Sequence, residues 1–169
     1  MRTRAGDSLK DRSMGLKAKD HMTADVVSVG RAANMAEIVA LLKKHRIPGV
    51  PVVDEDRRLL GLVTHEELIN IFVPHYLSMF DELAFLDDLG EIEAQTMAEI
   101  EPTLFLAEDI MATDLITVGP STSIMKVAAL MVNRKLVLVP VIDEERRVVG
   151  VLSRNDVSSA LTWAASEES

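Results

Sequence analysis

Cysteine is absent from the 169 residues. That excludes a disulfide framework, a thiolate nucleophile and a cysteine-ligated zinc site. Aromatic residues make up only 4% of a chain that is 48% hydrophobic, so the core has to be built from Val, Leu, Ile, Ala and Met. No apolar run approaches the ~18–20 residues of a membrane span. The N-terminus lacks the apolar stretch of a secretory signal, so a cytoplasmic protein with no membrane partner is expected. Basic charge is also scarce, the net charge being −9. A duplex- or RNA-binding domain shows a basic footprint, so no nucleic-acid partner is expected, whereas a small anionic ligand needs only a few local cations. There is no Gly-rich P-loop, no His-Glu-x-x-His and no Ser-His-Asp grouping, and His21, His45, His65 and His75 are dispersed. The expectation is a protein that is not an enzyme, with no catalytic cofactor and no metal.

What the chain does contain is one pattern written twice. His21-Met-Thr-Ala-Asp-Val-Val-Ser-Val29 returns as Ile110-Met-Ala-Thr-Asp-Leu-Ile-Thr-Val118, and Val50-Pro-Val-Val-Asp54 returns as Val139-Pro-Val-Ile-Asp143. Gly61-Leu-Val-Thr64 returns as Gly150-Val-Leu-Ser153, and every equivalent pair lies 89 positions apart. A gapless internal repeat decides the architecture before any single residue does. Each copy alone would bury a marginal core, so the two copies are expected to pair as a closed pseudo-symmetric unit with special sites between the halves.

Each copy reads as strand, helix, strand, strand, helix, an α+β pattern. Val26–Val29 and Leu115–Val118 are short β-branched runs. Asn34 followed by Glu37 has the form of a capping box, and Ser123 holds the matching N-cap position. Met35, Ile38, Val39 and Leu42 then follow helical spacing, as do Ile124, Val127, Ala128 and Met131. Val50–Val53 with Leu59–Thr64, and Leu138–Ile142 with Val148–Ser153, read as strand pairs joined by polar turns. The closing helices carry Leu68, Ile71 and Phe72 in one copy, and Val157, Ala160, Leu161 and Ala164 in the other. Residues 1–17 read as a polar arm, 18–72 as the first repeat, 73–106 as a helical insertion, and 107–165 as the second repeat. The insertion is far longer than an ordinary connection and carries Tyr76, Met79, Phe80, Leu83, Leu86, Leu89 and Ile92 at helical spacing.

The ordered set Met22-Thr23, Pro48-Gly-Val-Pro-Val-Val-Asp54 and Gly61-Leu-Val-Thr64, found again in the second copy, resembles the cystathionine-β-synthase (CBS) domain. Two in tandem form a Bateman module. The resemblance implies two pseudo-symmetric βαββα units packed through their sheets, with the helical segment inserted between them. It also implies a homodimer that binds an adenosine ligand (AMP, ADP, ATP or another adenosyl compound) in the cleft between the repeats. Such modules regulate a partner protein, here unknown, and do not catalyse. The alternative is a ligand-free homodimerisation scaffold acting through the inserted helices.

In the family, a Gly-h-h-Ser/Thr-x-x-Asp motif places the carboxylate that receives the ribose diol. Gly150-Val-Leu-Ser153-Arg154-Asn155-Asp156 matches it in full. The resemblance brings Thr23, Ser28, Ile47, Pro48 and Gly49 from the first copy to the same cleft, with Ile47 and Pro48 walling the purine. A weaker second cleft would combine Thr64 and Glu67 with Thr117, Leu136, Val137 and Leu138, Glu67 standing where Asp is expected. Ser153 and Asp156 equally fit a helix-capping pattern, and Ser28 and Thr117 equally fit strand residues that satisfy backbone neighbours. His45 and Arg46, with Arg134 and Lys135, are candidate phosphate contacts. They equally suit a helix C-terminus, where cations offset the dipole.

Overall fold

The structure, a computed structural model, describes residues 16–73 and 100–166. The first copy contributes α1 (Ala18–His21), α2 (Met35–His45), β1 (Gly49–Val53), β2 (Leu59–Thr64) and α3 (His65–Phe72). The second contributes α4 (Ala107–Ile110), α5 (Ile124–Asn133), β3 (Leu138–Ile142), β4 (Val148–Ser153) and α6 (Arg154–Ser166). Most of the expected arm (residues 1–15) and of the expected inserted helices (residues 74–99) lies outside the described residues.

Local chemistry sets the element ends. Asn34 Oδ1 accepts from the Glu37 N–H at 3.0 Å, and Glu37 Oε2 accepts from the Asn34 N–H at 2.9 Å. This box starts α2, and Ser123 starts α5 by accepting from the Lys126 N–H. Behind the caps, Met35, Ile38 and Leu42 are buried in one half, and Ile124, Val127 and Met131 in the other. Arg46 ends α2 in the left-handed region at φ 54°, and Lys135 repeats that angle after α5.

Each half holds a two-stranded antiparallel sheet, β1–β2 or β3–β4, with a register irregularity at the same place, Val52/Val53 and Val141/Ile142. The expected first strands are not full strands. Val26–Val29 and Leu115–Val118 each reduce to one parallel bridge, Val29 to Val52 and Val118 to Val141. The Val29 N–H donates to Pro51 O and its carbonyl accepts from the Val53 N–H, after which the chain turns away towards α2.

The strand prolines show how the halves are joined. Pro51 pairs with Leu62, and Pro140 with Val151. Proline has no N–H to offer a ladder, and none is needed here. Leu62 exchanges both backbone bonds with Ala112, and Val151 exchanges both with Thr23. Each sheet is therefore extended by a segment from the other copy. The exchange runs further: Ala18 is fully buried in the core around Ile124, Val139 and Leu152, and Ala107 is fully buried in the core around Ile38, Val50 and Val63. The opening segment of each repeat thus packs on the opposite half, so the repeating unit of sequence and the packing unit of structure differ.

The hairpin turns interlock as well. Leu59 N–H donates to Arg146 O and Val148 N–H to Arg57 O, both at 3.0 Å, around a bridge between Arg58 and Arg147. Beneath this seam Val26, Leu59 and Val148 form a small core with Val53, Leu115, Ile142 and Val151. Burying it ties the two halves into one body.

Candidate ligand-binding site

The cross-half pairing of Thr23 with Val151 brings the first copy's opening segment beside the start of α6. Between them lies a cavity of about 850 Å³, inside the range of small-molecule sites. Of the residues assigned to the main cleft, Thr23, Ile47, Pro48, Gly49, Ser153, Arg154, Asn155 and Asp156 line this cavity. Val26, Val27, Leu42, Pro51 and Val151 add apolar wall.

Ser28 is not among the lining residues. The Val29–Pro51 hydrogen bond draws the chain into the first half's sheet, so it leaves the cavity wall after Val27. Val137 and Leu138, assigned to the second cleft, line this one instead. They are the repeat equivalents of Pro48 and Gly49, so the cavity takes the same stretch of chain from both halves and reaches the pseudo-two-fold axis. Thr64, Glu67, Thr117 and Leu136 do not line it. Among the candidate phosphate contacts, Arg46 stands at the wall, whereas His45, Arg134 and Lys135 do not. Lys43 and His65 do, and the sequence reading gave neither a ligand role.

Asp156 is a capping residue in this structure. Its Oδ2 accepts from the Ser153 N–H at 2.8 Å and from the Ser153 hydroxyl at 2.6 Å, and the Asp156 N–H donates back to Ser153 Oγ at 3.3 Å. These bonds fix the carboxylate at the first turn of α6 and leave Oδ1 with no partner among the described residues. Glu67 does the same in the other copy, with Oε2 accepting from the Thr64 N–H at 2.7 Å and hydroxyl at 2.6 Å. The added methylene does not stop Glu67 from folding back on its cap. Arg154 is anchored through Nε, which donates to Leu136 O at 2.7 Å, so part of its guanidinium fork is spent on the loop before β3.

A reciprocal exchange of size separates the two copies at this point. Gly49 pairs with Thr64, whereas Leu138 pairs with Ser153. A β-carbon on Gly49 would stand 2.8 Å from Val63 O and 2.9 Å from the Thr64 methyl, so Thr64 needs glycine opposite it. Ser153, lacking that methyl, accepts leucine. Gly49 and Asp156 both line the cavity.

Comparison with known proteins gives a consistent picture. The CBS domain pattern matches residues 18–74 and 107–162. An uncharacterized protein of Methanocaldococcus jannaschii is 27% identical over 151 residues, covering 85% of this chain and 89% of that protein. Inosine-5'-monophosphate dehydrogenase of the same organism is 22% identical over 83% of this chain, which spans only 23% of that enzyme. Among solved structures, CBSX2 in complex with AMP superposes with a TM-score of 0.67 at 20% identity, covering 89% of this chain and 99% of that one. The CBS domain pair of a Methanocaldococcus jannaschii protein in complex with 5'-methylthioadenosine and S-adenosyl-L-methionine gives 0.63 at 24% identity, covering 87% and 96%. With two matches filling most of its length and the paired architecture shared, this chain belongs to the CBS domain family, as a tandem pair of the Bateman type.

Proposed function

We propose that the cavity beside Asp156 binds an adenine nucleotide and that the module signals its occupancy to a partner protein, without chemistry of its own. The observation that carries this reading is the position of Asp156. Its carboxylate is fixed by the Ser153 cap with one oxygen uncommitted, at a cavity walled by apolar residues from both halves. The uncommitted oxygen is an acceptor for a ribose hydroxyl, Ile47 and Pro48 offer apolar surface to a purine, and Ser153 and Asn155 add polar groups. Similar structures hold AMP in one case and 5'-methylthioadenosine with S-adenosyl-L-methionine in another, which supports an adenosyl ligand as the class. The likeness to inosine-5'-monophosphate dehydrogenase is confined to a minor part of that enzyme, which supports a regulatory module over a catalytic one.

The cavity walls belong to both halves, so a ligand that prefers one relative arrangement of the halves shifts the population towards it. A thermal-shift series with adenosine, AMP, ADP, ATP and S-adenosylmethionine tests the reading. Ligand at about 100 times its Kd adds about 2.7 kcal/mol, which for a chain of this size raises Tm by about 5–10 °C. Absence of a shift with every adenosyl compound would overturn it.

A further inference from the structure

Half of the large hydrophobic residues exposed among the described residues flank one segment of the chain. Ile69 is 58% exposed, Val73 40% and Leu104 75%, and each lies within five residues of the segment 74–99. The other copy holds Ser158, Thr162 and Gly15 at the equivalent positions, so the outer side of the closing helix is polar in one copy and apolar in the other. The closing helices also differ in length. α6 runs for thirteen residues and α3 for eight. The chain becomes extended at Val73, because the following Pro74 disfavours helix in the residue before it. α6 packs against α5, but no comparable packing joins α3 to α2. Ala160 on α6 is accordingly 3% exposed, whereas its equivalent Ile71 is only half-buried. The first half lacks a cover that the second half has.

The exchange of opening segments says where residues 74–99 begin and end. In sequence they separate the repeats, but both flanks belong to the first half. Before them, Leu68, Ile71 and Phe72 pack in the first-half core; after them, Phe105 and Ala107 pack in the same core, and Phe105 O accepts from the Met35 N–H. The chain therefore leaves and re-enters one packing unit, and α3 packs against α4 where it returns. The segment carries Tyr76, Met79, Phe80, Leu83 and Leu86 at helical spacing, an apolar stripe that needs a surface to pack on, since an isolated helix is marginal in water. We infer that residues 74–99 fold back on their own chain and cover the outer side of α3, their apolar positions meeting Ile69, Val73 and Leu104. Two arguments favour the same chain over a second copy. Tethering at both ends gives a high effective concentration. The segment also holds seven acidic residues and no Lys or Arg, so pairing it with its counterpart on another copy would bring like charges together.

Amide hydrogen exchange of the full chain, read by mass spectrometry, tests the inference. In the unaltered protein, amides within 76–92 should exchange at least about tenfold more slowly than an unstructured chain. Ile69→Ser/Val73→Thr installs the side chains that the other copy carries at these positions. At positions facing only water such changes are nearly neutral; here they should remove the protection of 76–92 while β2 and β4 keep theirs, which also shows that the variant folds. A photoreactive diazirine side chain at position 69 then distinguishes the same chain from a second copy. Unlabelled and heavy-nitrogen protein are mixed in urea, refolded together and irradiated. Crosslinks from position 69 into 74–99 should join only peptides of one isotope. Unprotected amides in the unaltered protein, protection that survives the double substitution, or no crosslink into 74–99 would overturn the inference. Crosslinks of mixed isotope would assign the cover to a second copy and overturn it as well.

Discussion

The Met22 thioether lies on Gly150, in the space that a β-carbon at that position would occupy. Met22 belongs to the first repeat and Gly150 to the second, and Thr23, the next residue, pairs with Val151 to form a wall of the cavity. Met111 on Gly61 is the mirror image of this contact. The absence of a side chain on Gly150 thus seats the exchanged segment, and the seated segment shapes the site.

Gly150→Ala should therefore cost both stability and ligand affinity. Overpacking of this kind costs about 1–3 kcal/mol, read by urea denaturation. Gly61→Ala should cost a similar amount of stability, because Met111 sits on it in the same way, but less affinity, because Ala112 and Leu62 do not line the cavity. Met22→Ala should partly rescue Gly150→Ala. A double-mutant cycle that is simply additive would show that the two residues are not coupled.

The paired caps make a second prediction. Asp156→Ala and Glu67→Ala each remove a carboxylate that accepts two hydrogen bonds from its cap residue. Both should lose about 1 kcal/mol of stability, so a fall in Tm without ligand is expected of each. Only Asp156→Ala should also lose the ligand-induced rise in Tm. Comparing the two variants separates the cap from the ligand contact. An unchanged ligand response in Asp156→Ala would remove that residue from the site.

Much of this architecture is legible in the sequence, and what is not has a physical cause. The 89-residue repeat, the Asn34–Glu37 and Ser123 caps and the bounds of β3 and β4 follow from spacing and residue type. Which half each opening segment packs against does not. Met22 on Gly150 and Met111 on Gly61 use the same residue types that unexchanged pairing would use, so the pattern is identical either way. The same ambiguity hides the placement of Val137 and Leu138, which adjoin the Asp156 cavity because the halves meet at an axis. Lys43 is missed because its spacing marks it as the solvent face of α2, and His65 because it reads as an exposed helix start.

Gly49 and Thr64 yield a third prediction. Gly49→Ala should destabilise by about 1–3 kcal/mol, because the new methyl meets both Val63 O and the Thr64 methyl. Adding Thr64→Ser relieves only the side-chain half of that clash, so recovery should be partial. Full recovery in a denaturant melt would show that the carbonyl contact is harmless.

The hairpin seam carries a pH dependence. The Arg147 backbone N–H, with the Arg147 guanidinium and the Glu145 N–H, holds the Asp143 carboxyl below its ordinary value, against a smaller opposing effect of burial. A group depressed in the folded state contributes stability above its unfolded pKa and loses it as pH falls through the folded one. Stability should therefore decline from about pH 4 downwards through this group, and Asp143→Asn should flatten that part of the profile. An identical acid limb in both proteins would contradict the assignment.

The central claim is that the two halves together form one adenine-nucleotide site around Asp156, and calorimetric titration of ATP into the unaltered, Asp156→Ala and Glu67→Ala proteins tests it most directly. The account predicts saturable binding to the unaltered protein, loss of that binding in Asp156→Ala, and its retention in Glu67→Ala. Undiminished binding in Asp156→Ala, or equal loss in both variants, would contradict it.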